Sequence, residues 1–109
     1  MMYVDFHAGD KDYKLRLSTR NVAMLEKQLG CNPLAIFGKG DTIPTVTTMV
    51  QVLYSSLIQY NHGISLDDAF NIFDEWLADG NTVTDFIYVI LDIYRVSGLV
   101  KKESVEKNA

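Results

Sequence analysis

Four carboxylates crowd the stretch around Gly80: Asp74, Glu75, Asp79 and Asp85. Oxygen ligands at that density suggest calcium, whose helix-loop-helix site wants ligands at alternate positions, glycine at the sixth and glutamate at the twelfth. Counted from Asp74, Asp79 stands sixth and Asp85 twelfth, with Trp76 and Ala78 where ligands belong. These charges read as helix caps and solvated faces. Gly38-Lys39-Gly40-Asp41-Thr42 has the composition of a phosphate cradle. It lacks the wider glycine spacing, the Lys-Ser/Thr ending and the preceding parallel strand of one, and reads as a linker. His7 and His62 are joined by no Cys-His or Glu-x-x-His spacing, so no metal site is expected. Cys31 sits in a Gly-Cys-Asn-Pro turn with no histidine placed beside it to take its proton, and reads as a small packing residue. No Gly-x-Ser-x-Gly, paired catalytic carboxylate or dinucleotide fingerprint occurs. The residues point to neither an enzyme nor a cofactor.

What remains is the chemistry of contact. Trp76 stands at the edge of an amphipathic helix beside Glu75 and Asp79; core packing is its ordinary role, yet tryptophan is also enriched in binding hot spots. Val89, Ile93 and Val96, at spacings of four and three, line one side of a helix, with Leu99 just beyond it. This stripe suits core and interface equally. Trp76, Val89, Ile93, Val96 and Leu99 are therefore the candidate protein-binding residues.

Composition narrows the partners. Of 109 residues, 48% are hydrophobic and 22% charged, which fits one ordered core; residues 1–100 read as a single domain and 101–109 as a charged, mobile tail. A net charge of -4 repels a polyanion and removes the term that dominates nucleic-acid affinity. The single cysteine excludes an internal disulfide and fits a reducing compartment. No stretch reaches the ~18 apolar residues of a membrane span and no leader pattern opens the chain, so the expected location is bacterial cytoplasm.

The elements that carry these residues follow from period and punctuation. Met2, Val4 and Phe6 alternate with polar neighbours, as do Tyr13, Leu15 and Leu17, predicting a hairpin about a turn at His7 to Asp12. Ser18 and Thr19 offer caps to a helix bearing Val22, Leu25 and Leu29, which Gly30 ends; Asn32-Pro33 opens a short helix over Leu34 to Phe37. After Pro44, Val46, Met49, Val50, Leu53, Tyr54, Leu57 and Ile58 recur at i, i+3, i+4, i+7, predicting a central helix ending near Asn61 to Gly63. Its opposite face, including Thr45, Thr47, Gln51, Ser55 and Ser56, carries no charge. Ser65 with Asp68 caps a third helix through Phe70, Phe73, Trp76 and Leu77. Thr82 with Asp85 caps a last one, with Val83, Phe86, Ile87, Ile90, Leu91 and Tyr94 along one stripe. The fold class is mainly α, a small helical domain with an N-terminal β-hairpin. Unpaired hairpin edges and a last helix apolar on two stripes predict a homo-oligomer.

In order and spacing, the Lys14-Leu15-Arg16-Leu17 strand, Ser18-Thr19, Leu25-Glu26, Leu29-Gly30 and Asn32-Pro33-Leu34 resemble the tail assembly chaperones of long-tailed bacteriophages and prophages. Asp74-Glu75, Asp79-Gly80 and Ser97-Gly98-Leu99 are similar to members from phages of Gram-positive bacteria. The similarity runs from about Tyr13 to Leu99 and brings no catalytic or metal motif. It implies a protein that coats the tape measure protein, keeps that extended apolar client soluble while the tail tube protein polymerises around it, and is absent from the finished virion. Members of that family often come as a short form and a longer one made by translational frameshift; Lys101-Lys102 could be encoded by a slippery adenine run, which only the gene shows. Two other readings stay open: a structural virion component such as a head-tail connector, and a small regulatory helical domain.

Overall fold

The computed structural model describes residues 2–37 and 43–101. The linker at 38–42 and the tail at 102–109, both singled out in the sequence, lie outside the described residues. The chain is mainly helical with an N-terminal hairpin, as its periodicities predict. Strands β1 (Val4–Ala8) and β2 (Lys11–Leu15) pair antiparallel, with Val4 opposite Leu15, Phe6 opposite Tyr13 and Ala8 opposite Lys11. The turn is tighter than the predicted His7–Asp12 loop, because His7 and Asp12 are themselves a cross-strand pair and only Gly9 and Asp10 lie between the strands.

Helix α1 (Thr19–Leu29) starts where Ser18 accepts from the Asn21 backbone N–H and stops at Gly30, whose φ of 72° is the left-handed conformation that glycine alone adopts without strain. A 3₁₀ helix follows over Pro33–Phe37, with the Asn32 side chain accepting from the Leu34 N–H at 2.9 Å. Then come α2 (Val46–Leu57), α3 (Leu66–Ala78) and α4 (Asp85–Val96). The Ser65–Asp68 capping box of α3 is formed in both directions. The Thr82–Asp85 pair is also reciprocal, at 2.8 and 3.2 Å, but it closes a tight turn, and α4 proper begins only at Asp85.

Helix α2 is the hub, packing against α1, α3, α4 and β2. Met49, Val50, Val52, Leu53 and Leu57 are fully buried. Thr45 and Thr47 of its uncharged face are exposed, but Ser55 and Ser56 are buried: Ser56 satisfies itself by donating to the Leu53 carbonyl at 2.9 Å, and so can turn inward without a lost hydrogen bond. The helix ends at Leu57, earlier than predicted, because its last carbonyls are taken by other partners. Ser55 accepts from Asn21 Nδ2 at 2.9 Å, Ser56 from the Arg16 backbone N–H at 3.0 Å, and Leu57 from Asn61 Nδ2 at 2.9 Å. Those bonds satisfy groups that every helix end leaves open, and they lock α1 and the hairpin onto α2.

Part of the core is an aromatic group. Phe6 of β1, Phe73 and Trp76 of α3 and Phe86 of α4 form one group, with ring centroids 5.0 to 6.1 Å apart. The hairpin turn is held to the end of α3 by the Gly9 N–H, which donates to Asp79 Oδ2 at 2.9 Å. At the other end, Arg16 Nη1 donates to both the Met2 and Val96 carbonyls, at 2.7 and 2.8 Å. Helix α4 closes with paired backward bonds, Leu99 N–H to the Tyr94 carbonyl and Gly98 N–H to that of Arg95, the Schellman arrangement.

Candidate functional site

Burial sorts the sequence-derived candidates. Trp76 lies in the aromatic group and is 7% exposed; Ile93 is fully buried. Val89 and Leu99 are half-buried and pack on the same core, and Val96 is half-buried. The centre of the Val89–Ile93–Val96 stripe is thus inside the molecule, and the stripe is not displayed as a unit. Cys31, read as a packing residue, is an exposed free thiol instead, since Gly30 turns it outward past the end of α1.

Among the described residues, no three His, Cys, Asp or Glu side chains converge on a point that could hold a metal ion. A cleft of about 490 Å³ runs between the hairpin tip and α3, lined by Asp10, Lys11, Tyr13, His62, Asp68 and Glu75 among others. Partial burial, and then the charges of Glu75, Asp10 and Asp68, push the Tyr13 phenol above its ordinary range, which keeps it neutral.

Exposed apolar side chains occur at several places, Met2, Tyr60, Phe70 and Tyr88 singly and a further set at one end of the helix bundle. Asn21, at the start of α1, reaches the carbonyl of Ser55 near the end of α2, so these packed helices run antiparallel. The end of α1, the 3₁₀ helix and the start of α2 therefore share one end of the molecule. Leu34 is 44% exposed there, Ile43 50% and Val46 45%, while Leu29, Ile36 and Phe37 are half-buried behind them. Met24 of α1 is exposed as well. No residue from Ile43 to Gln59 is charged.

This surface stands on a firm base. Tyr94, fully buried in α4, donates its hydroxyl to the Pro33 carbonyl at 2.9 Å and meets Phe37 edge-on at 6.2 Å. Burial, with a smaller contribution from Cys31, pushes the Tyr94 phenol far above its ordinary value, so it remains a donor. An apolar surface fixed in this way can bury a partner's apolar stripe. Sequence reasoning missed it because Val46 fits the α2 period and was assigned inward. The available signal was position: Ile43 and Val46 flank Pro44 at the mouth of the helix, before the turns that face the core.

Comparison with curated proteins and with solved structures returned no match. The model of a family of unknown function (DUF6096) matches residues 4–109, nearly the entire chain. From the first hairpin strand onward, the chain belongs to that family.

Proposed function

We propose that this protein is a tail assembly chaperone of a long-tailed bacteriophage or prophage, working in the bacterial cytoplasm to bind the tape measure protein and keep it soluble while the tail tube protein assembles. The observation that carries this reading is the exposed, uncharged apolar trio of Leu34, Ile43 and Val46, which flanks the half-buried Ile36 and Phe37 of the 3₁₀ helix along the chain. Isolated exposed apolar residues are ordinary; a group of them on one end, backed by further half-buried apolar residues, marks a place for a partner. Apolar burial is non-directional and tolerates sequence change. It suits a long helical client presenting many similar stripes, where a hydrogen-bonded pocket would select one. The resemblance of the Lys14–Leu34 region to tail assembly chaperones supplies the identity of that client. No helix among the described residues is long and apolar enough to cross a membrane.

The test is co-expression with a tape measure protein of a long-tailed phage. The double variant Leu34→Asp, Val46→Asp removes apolar contact at two exposed positions, so it should keep its far-UV spectrum and melting temperature while the client moves to the insoluble fraction. A folded variant that still protects the client fully would remove this surface from the proposal. Finding the protein in purified virions by mass spectrometry would replace the chaperone with a structural component.

A further inference from the structure

Hydrogen bonding along an antiparallel pair alternates, and the alternation decides which backbone groups face outward. Ala8 and Lys11 close a two-residue turn and exchange both their bonds; Phe6 with Tyr13 and Val4 with Leu15 follow in phase. Asp5 and His7 therefore aim N–H and C=O away from β2. The opposite edge confirms the parity: Arg16, in phase with Asp12 and Lys14, sends its N–H away from β1 to the Ser56 carbonyl. One end of the β2 edge is thus closed by α2. Among the described residues, no backbone or side-chain group bonds the outward N–H and C=O of Asp5 and His7, and both residues are exposed.

The side chains beside that edge carry a pattern. On the outer face Asp5 lies opposite Lys14, and His7 opposite Asp12, with His7 Nδ1 and Asp12 Oδ1 2.7 Å apart. Charge on an edge strand ordinarily discourages pairing with another chain. Here its effect depends on register. An antiparallel partner centred on Asp5 would set Asp5 against Asp5, and one centred on His7 would set His7 against His7. Centred on Phe6, Asp5 of each copy faces His7 of the other, and the outer face reads Lys14, Asp5, His7, Asp12 across four strands, alternating in sign when His7 is protonated.

We propose that β1 is a homodimer edge: two copies of this chain pair antiparallel about a two-fold axis at Phe6, exchanging four backbone hydrogen bonds through Asp5 and His7 and joining two hairpins into one four-stranded sheet. Self-pairing satisfies the unpaired edge, gives the isologous contact expected of a dimer, and leaves the Leu34–Val46 surface of each copy free. It does not depend on the identity of any client.

The test uses the full chain in sedimentation equilibrium from micromolar to millimolar concentration at low salt. The wild type should form a reversible dimer of twice 12.3 kDa. Asp5→Lys alone and His7→Glu alone each place like charges across the axis, and each should weaken the dimer by about tenfold or more. An equimolar mixture of the two variants should recover it, because the new cation at position 5 then faces the new carboxylate at position 7. In the wild type, the Asp5 and His7 amides should exchange more slowly as concentration rises, a readout that needs no variant. A wild type that stays monomeric, a dimer insensitive to both substitutions, or a mixture no stronger than its components would overturn the proposal.

Discussion

His7 and Tyr94 show what a single side chain's surroundings do to its proton. The hydrogen bond to Asp12 raises the His7 pKa above its ordinary 6.5; slight desolvation opposes the shift, and the charges of Asp12 and Asp79 add to it. A raised histidine contributes stability that is fully present below pH 6.5 and lost as pH climbs through the folded value. Asp12→Asn should bring the His7 titration, followed by proton NMR, back toward 6.5; an unchanged midpoint would mean that the pair does not form in solution. Tyr94 shifts in the same direction for another reason, burial. Its unfolded counterpart ionises from about pH 10 while the folded phenol does not, so alkaline conditions destabilise the protein above that value. Tyr94→Phe should remove this alkaline component and, at neutral pH, lower stability by about 1 kcal/mol through the lost bond to Pro33. Thermal melts at pH 7 and above pH 10 check both parts, and an unaltered alkaline slope would assign the effect to another group. Neither interaction is legible in the sequence: the hairpin pattern puts His7 in a loop, and Tyr94 is one apolar residue among several in a stripe.

Helix boundaries were the most readable level, because caps are local chemistry. Ser18, Ser65 and Gly30 act where their types and spacing placed them. Gly30→Val should cost roughly 1–3 kcal/mol: nothing crowds the position sterically, so the loss isolates the strain of a β-branched residue at φ 72°. An unchanged denaturant midpoint would show that the turn relaxes without effect on the fold. Where the reading failed, tertiary contacts had overridden periodicity. Ser55 and Ser56 count as polar in any period, yet a serine that bonds its own helix behaves as a small core residue. The end of α2 is set by Asn21 and Arg16, residues 34 and 40 positions away, and no window along the chain contains both sides of those bonds. Ile93 is buried in a helix that packs on both α2 and β1, neighbours that the period of α4 alone does not reveal.

At the scale of the molecule, the class of fold was legible and the choice of surface was not. Hydrophobic period identifies residues that need covering; which of them end up covered depends on how many neighbours the fold supplies, and this one supplies enough for Trp76 and Ile93 but leaves Leu34 and Val46 in solvent. The Arg16 guanidinium has a topological consequence. One nitrogen holds the carbonyls of Met2 and Val96, so the first strand begins beside the point where the last helix finishes. A circularly permuted chain, with Val100 joined to Met2 by a short glycine-serine linker and new ends opened between the exposed His62 and Gly63, should reach the same fold with the same far-UV spectrum and a cooperative melt. Failure of the permutant to fold would mean that the hairpin has to precede the helices in the chain. Success would make the order of the elements incidental and their mutual contacts sufficient, and the old junction would become a continuous surface on which an inserted segment could be carried.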